Sequence, residues 1–413
     1  MSKITPLQHN EREIFMDVLR GFAIFGILIA NLTAGGLGWG PNRVETGPFI
    51  TSELDHQLSF VYSMFIDGKF YSIFSMLFGW GIALQLQRGT NRGIDATPTV
   101  RRRLGFMLLL GSFHILIWNG DIVLFYAMLG FLLLPFRKFS NKTLLITGAC
   151  LILSPIILYA LKLHWPVLNS PAVFLQDAGN KVSQYLLGIS TDADYNAWIN
   201  KASWWDMWVG NMGGVFYRFS YLVFISRIPK VFGMFLIGFV IGRSGFYKNI
   251  AQNRNTILKI IGVGLLIGLP ANYLLAYYSE NFVSDYYNLK PNGLYQTIAY
   301  AFGVAPLALV YAGTLMLCFQ TIAGKKIMSI IAPVGKMAFS NYIMHSLVCQ
   351  FVFLPQGLGY GGQVGQYYLS LFGITLYLSQ IVISTLWLKY FNYGPFEWLW
   401  RSLTYWKRQT MIK

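Results

Sequence analysis

Residues 104–136 read LGFMLLLGSFHILIWNGDIVLFYAMLGFLLLPF. Two apolar runs, Leu104–Trp118 and Ile122–Phe136, flank Asn119-Gly120-Asp121, a tripeptide with the chemistry of a tight turn. As helices, runs of about 15 residues rise about 22 Å, short of a hydrocarbon layer about 30 Å thick. The stretch therefore reads as a membrane hairpin whose tip lies in an outer vestibule or a protein-lined depression, with Asp121 partly desolvated.

The composition agrees with that reading. Of 413 residues, 55% are apolar, 17% aromatic and 12% charged. A water-soluble chain carries roughly a quarter charged residues, so this deficit excludes a disordered chain, a secreted disulfide scaffold and an ordinary cytosolic enzyme. Cys150, Cys318 and Cys349 fall in apolar runs, which argues against a disulfide framework or a thiolate metal site. The fold class is all-α: a polytopic integral membrane protein forming a single transmembrane domain over 1–413. About ten spans are predicted, at 18–38, 70–88, 104–119, 121–136, 143–163, 229–247, 258–278, 296–319, 337–355 and 367–388. The segment SELDHQLSFVYSMFIDGKF at 52–70 predicts an interfacial helix leading into the second span. Residues 164–228, with Trp198, Trp204, Trp205 and Trp208, predict an outer cap or interfacial segment.

The formal charge of +16 is distributed, not clustered. Lys3, Arg12 and Arg20, then Arg88, Arg92 and Arg101–Arg103, then Arg137, Lys138 and Lys142 alternate with apolar spans, as do the later basic groups. Most acids lie on the other side. This predicts cytoplasmic N- and C-termini, an uncleaved first helix and a multi-pass protein of the bacterial cytoplasmic (inner) membrane. It accounts for most of the charge, and no nucleic-acid partner is assigned; membrane lipids are the expected surroundings.

Ionisable groups at membrane depth are functional candidates. Measured from Arg20, Arg103 and Lys336 as inner-surface markers, Asn31, His114 and His345 each lie about 14–16 Å in. Lys69 and Asp121 stand about 27–28 Å above Arg88 and Arg103 and can pair. Every one of these also has a packing explanation. Asp121 can cap the helix that follows the turn. His114, His345 and Asn31 can be interhelical hydrogen-bonders. Asp17 and Arg20 can be a surface ion pair. Arg101, Arg102 and Arg103 can fix topology, or hold phosphates at the inner mouth. Gly79 and Gly81 fit close helix contact. No nucleotide loop and no His-Glu-x-x-His zinc signature occurs, so ATP-driven transport and metalloprotease chemistry are disfavoured and no metal is expected.

Separated motifs carry a resemblance over nearly the whole chain. Met16-Asp17-Val18-Leu19-Arg20-Gly21-Phe22-Ala23-Ile24 followed by Asn31, with Met16 at a usual Leu, resembles the start of YeiB-like membrane proteins. Gly68-Lys69-Phe70 with Phe74-Ser75-Met76-Leu77-Phe78-Gly79 is similar to that family's second helix, and His114 with Trp118, Gly120-Asp121-Ile122 and Tyr126-Ala127 to its third and fourth. Gly242-Arg243, the run Pro333-Val334-Gly335-Lys336-Met337-Ala338 with Ser340-Asn341-Tyr342, and Gly394-Pro395-Glu397-Trp398-Trp400-Arg401 match its C-terminal half. The first-helix pattern is similar to that of heparan-α-glucosaminide N-acetyltransferase-like transmembrane acyltransferases, in which a first-helix Asn is followed by a catalytic His. Asn31 matches the Asn, whereas Leu32–Phe49 contains no His; His114 stands at a similar estimated depth on another helix.

The resemblance implies an acyltransferase that moves an acyl group from cytoplasmic acyl-CoA, as co-substrate, to an envelope glycan or lipid acceptor. In that reading His114 is the base and Asn31 the oxyanion donor. Asp121 and Lys69 shape the outer entrance, and Arg20, Arg101, Arg102 and Arg103 bind phosphates. The alternative is a transporter or binding protein for a small metabolite or lipid, with His114 and Asp121 as proton relay. A purely structural role ranks third.

Overall fold

A computed structural model describes residues 14–32, 52–248 and 250–413. Lys3, Arg12, residues 33–38 of the first predicted span and nearly all of the His-less stretch lie outside the described residues. Helices dominate: α1 Ile14–Asn31, α2 Glu53–Phe65, α3 Lys69–Asn91, α4 Thr97–Ile117, α5 Val123–Phe136 and α6 Asn141–His164 form the first half. Then follow α7 Ser170–Leu187, α8 Asp192–Ile199, α9 Trp204–Phe224 and α10 Arg227–Ser244. The second half holds α11 Ile250–Asn281, α12 Val283–Tyr287, α13 Pro291–Cys318, α14 Ile322–Met328, α15 Ala332–Lys336, α16 Ala338–Phe353, α17 Gln366–Tyr390 and α18 Pro395–Tyr405. The one β feature among the described residues is a bridge between Phe391 and Ile412.

The chain is a multi-pass membrane protein. By length and composition α1, α6, α11, α13 and α17 can each cross a bilayer. Two further crossings arise if the bent pairs count as single spans, α9 with α10 at 73° and α14–α15 with α16 at 72°. Ten spans were expected. The difference lies partly in α3 and α4, which carry Lys69, Arg88 or the arginine triplet within their limits, and in α5, which has 14 residues. It lies also in the bends, since the predicted spans 229–247 and 337–355 are each the second limb of an angled pair.

Local chemistry sets several of these boundaries. Ser52 and Asp55 form a capping box on α2, and the Asp55 carboxylate also accepts from Tyr367 N at 2.7 Å, joining the α2 and α17 N-termini. Thr191 with Asp194 and Ser203 with Asp206 cap α8 and α9 in the same way. The 164–228 segment is thus helical, with α7 packed on α9 through Gly179 and Gly213.

α3 and α10 run parallel at the centre, with Tyr71 beside Arg227 at one end and Gln87 bonded to Arg243 O at the other. Their approach depends on glycine: a Cβ at Gly238 would lie 1.8 Å from Met76 O, and one at Gly79 2.0 Å from Phe235 O. Gly79 thus serves close contact as the sequence reading expects, while Gly81 has nothing within 4 Å and lines a cavity instead. Because backbone atoms cannot move aside, Gly238→Val should destabilise the protein by about 2–3 kcal/mol. Thermal unfolding in detergent checks this, with exposed Gly262→Ala, whose Cβ meets nothing within 4 Å, as the control that should not be destabilised.

Candidate functional site

The hairpin of α4 and α5 closes as its sequence implies. Gly111 lets the two helices meet, since its Cβ would sit 2.3 Å from Leu124 N. That contact places Asp121 beside His114. Asp121 Oδ1 is 2.6 Å from His114 Nδ1, and Oδ2 accepts from Leu124 N at 2.7 Å. Helix cap and hydrogen-bond partner of the imidazole are therefore one residue, an oxygen for each role. On the other face of the imidazole, Nε2 is 2.9 Å from Ser346 Oγ on α16. His114, Asp121 and Ser346 are all buried.

An ionised Asp121 can only accept, so Nδ1 carries the proton and Nε2 is left to accept from the Ser346 hydroxyl. This is the connectivity of a carboxylate, imidazole and hydroxyl triad, built here from the last turn of α4, the turn that precedes α5 and the middle of α16. Tyr342, one turn before Ser346, stacks at 5.2 Å from the imidazole, and its hydroxyl accepts from Ile122 N at 3.2 Å. The Tyr342 proton is then available for a further acceptor.

A cavity of about 560 Å³ leads from the basic end of the bundle to this layer. Arg20, Arg88, Arg103, Lys336 and Arg401 line its mouth, together with Gln85, Asn392 and Gln409. Its deeper wall is apolar, made by Ile24, Phe74, Phe78, Leu104 and Met107, and ends at Ile122, Val123 and Tyr342. The carboxylate in the lining is Glu397 on α18. It accepts from Phe339 N at 2.6 Å, Ser340 N at 3.1 Å and the Ser340 hydroxyl, an acid at the N-terminus of α16. Burial pushes its carboxyl above the ordinary range against those bonds.

The site residues expected from sequence divide accordingly. Arg20 lines the mouth and pairs with Asp17 at 2.9 Å. The arginine triplet separates, because successive helical residues point about 100° apart. Arg103 faces the cavity with its guanidinium 4.1 Å over Trp400. Arg102 donates to Thr404 O, and exposed Arg101 lies toward Arg137 and Lys138 on another surface. A convergent three-arginine clamp is thus corrected to Arg103 alone.

Lys69 does not pair with Asp121. Its Nζ donates to Ser63 O at 2.8 Å, since the Asp121 oxygens are already taken by His114 and Leu124. Asn31 is not among the cavity-lining residues. His345 turns to Gln380 on α17 at 2.8 Å, and its neighbour Ser346 meets His114 instead. Sequence reasoning missed Ser346, although it flanks a histidine chosen for its depth; it also treated Arg88 and Lys336 as depth markers and not as lining groups. No group of three His, Cys, Asp or Glu able to hold a metal occurs among the described residues.

Comparison of the sequence with known proteins matches the chain to a family. The chain is 33% identical over its whole length, and over 99% of the relative, to the uncharacterized protein YxaH of Bacillus subtilis (strain 168). It is 29% identical, over 95% of the chain and 96% of the relative, to the uncharacterized protein YeiB of Escherichia coli (strain K12). The chain belongs to the YeiB-like family. Residues 241–407 match the family described as a protein of unknown function (DUF418), a span that carries Ser346, Lys336, Glu397 and Arg401. A "39.9 kDa protein in amylase 3'region" of Bacillus acidopullulyticus is 27% identical over 97% of the chain and 96% of its own length. No solved structure matches.

The geometry predicts which polar groups act together. In double-mutant cycles on unfolding free energy, His114→Ala and Asp121→Ala should be non-additive by about 0.5–3 kcal/mol, whereas Lys69→Met and Asp121→Ala should add within about 0.5 kcal/mol. Coupling of Lys69 instead of His114 would contradict the observed pairing.

Proposed function

We propose that the protein is an integral-membrane acyltransferase, taking an acyl group from cytoplasmic acyl-CoA and passing it to a hydroxyl or amine of an envelope glycan or lipid. The observation that carries this reading is one cavity with cations at its mouth, apolar walls along its length and a polarised imidazole just behind its end. Its volume is within the range of small-ligand sites. The distribution of Lys and Arg supports a mouth on the cytoplasmic face of a bacterial inner membrane, with both termini on that side. Arg20, Arg88, Arg103, Lys336 and Arg401 supply positive charge for the CoA phosphates, and the pantetheine arm follows the apolar wall.

In this mechanism the acceptor hydroxyl takes the place that Ser346 occupies at rest, after Tyr342 turns aside from the imidazole. The acceptor oxygen attacks the thioester carbonyl, and its proton passes to His114 Nε2. As the tetrahedral intermediate collapses, the C–S bond breaks and the same proton moves to the thiolate. Asp121 holds the tautomer and stabilises the transient imidazolium. The Tyr342 hydroxyl donates to the developing oxyanion, the role that the first-helix resemblance gave to Asn31.

Thiol release from acetyl-CoA by the purified protein with envelope glycan and lipid acceptors tests the reading. His114→Ala should lower turnover about 10²–10⁴-fold, with Ser346→Ala within tenfold of the original protein. Arg103→Gln should raise KM for acetyl-CoA more than it lowers kcat. Unchanged turnover in His114→Ala, or a hydroxylamine-sensitive acyl group on Ser346, would contradict the mechanism. Proton-gradient-driven uptake by proteoliposomes without CoA binding would replace the enzyme by a transporter.

A further inference from the structure

Behind the triad, at the end of the bundle opposite the basic mouth, lies a second group of cations that the proposed reaction does not use. Arg227 opens α10, about 24 Å along that helix from Arg243 at the basic end. Its guanidinium lies 4.2 Å over the ring of Tyr71, and Lys230 Nζ lies 4.1 Å from the ring of Tyr300. The two tyrosine hydroxyls share a hydrogen bond of 2.6 Å, so both cations stack on one aromatic pair. Arg218 reaches the same place from α9, donating to Gly120 O at 3.2 Å and to Asp121 O at 3.4 Å. Arg227 is within electrostatic reach of both Arg218 and Lys230.

The donors of these cations are largely unused. The Nε atoms of Arg218 and Arg227 are buried and have no hydrogen-bond partner among the described residues. No hydrogen bond or ion pair joins Arg227 or Lys230 to a described residue, although Lys230 is 8% exposed. Asp67 is near enough to act on both through its charge, yet it forms no ion pair with either among the described residues. The Asp121 carboxylate is committed to His114 and Leu124. The α10 N-terminus adds to the positive potential, since Ser226, at φ 53°, gives it no side-chain cap. Three cationic groups gathered in low dielectric without a directly paired carboxylate are costly, and an anion relieves that cost. Arg227 itself is half-buried, and neighbouring Ile228 and Tyr221 are exposed, so the group can be reached from the surface.

We propose that Arg218, Arg227 and Lys230 form a binding site for an oxyanion of the phosphate type, borne by a lipid headgroup or free in solution. The site stands independently of acyl transfer. Through Arg218 it touches the backbone of the turn that carries Asp121, so its occupant sits against the far side of the triad.

The test uses the full chain in a neutral maltoside detergent at low salt, without acyl-CoA, and reads melting temperature against concentration of three probes. These are dihexanoyl phosphatidic acid, inorganic phosphate and uncharged dioctanoylglycerol. The site predicts a saturable rise with phosphatidic acid. A similar rise with inorganic phosphate assigns the free anion, and a rise with the lipid alone assigns a headgroup; either supports the site. Lys230→Met and Arg227→Gln should each raise the half-saturating concentration at least tenfold. Without probe, Lys230→Met should melt at or above the original temperature, because an uncompensated charge is gone; a cation with a structural role would lower it. If one variant does not fold, the other carries the comparison. No rise with either anion, an equal rise with dioctanoylglycerol, or unchanged half-saturation in the folded variants overturns the proposal. Failure of thiol release would leave this result standing.

Discussion

The Asp121 carboxylate, buried among membrane helices, has to be satisfied by protein, and the site follows from how that is done. One oxygen takes the Leu124 amide in the first turn of α5, so the turn 118–121 is held against the helix it starts. The other takes the His114 imidazole, seven residues earlier on α4. These two bonds fix the height of the hairpin tip and the direction of the ring together. Nε2 is thereby aimed at α16, where Ser346 completes the connection. A carboxylate left without either partner would carry a desolvation cost of several kcal/mol.

The remaining helices give this unit its setting. α1, α3, α15 and α18 wall a cavity whose charge declines from its mouth inward, with cations on the final turns toward the basic end and only apolar groups and Tyr342 near the triad. α18 closes it by two contacts: Glu397 caps α16, and Trp400 lies under Arg103 while donating its indole N–H to Arg103 O at 2.9 Å. A phosphate-bearing, long-armed ligand matches this gradient. On the other side, Arg218 bonds the carbonyls of the same turn, so the His114 layer separates two basic regions.

Much of this was legible in one sequence. Composition and run length gave the all-α membrane class, and the rarity of ionisable residues in apolar runs singled out His114 and Asp121. What escaped was rotational. Counting at 1.5 Å per residue yields height but not azimuth, so it marks His345 by depth without showing that Ser346 is the residue that meets His114, and it does not show that Arg101, Arg102 and Arg103 diverge. Lys69 and Asp121 share an estimated height, yet Lys69 turns to the Ser63 carbonyl in the last turn of α2. The breaks before α10 and α16 were equally hidden, because an apolar sequence reads the same through a 70° bend. Arg227 stands just before the predicted span at 229–247 and Lys230 just inside it, and nothing in their spacing shows that they stack on the hydrogen-bonded rings of Tyr71 and Tyr300.

The account rests on one cavity leading from the cationic mouth to Tyr342, with the imidazole of His114 directly behind that ring. Its most direct test is an experimental structure of the protein with a non-hydrolysable thioether analogue of acetyl-CoA. The account predicts phosphate density among Arg20, Arg88, Arg103, Lys336 and Arg401, with the acyl carbon beside Tyr342 and within reach of His114 Nε2. An analogue bound elsewhere, or a cavity filled by lipid that the analogue at saturation does not displace, would contradict it.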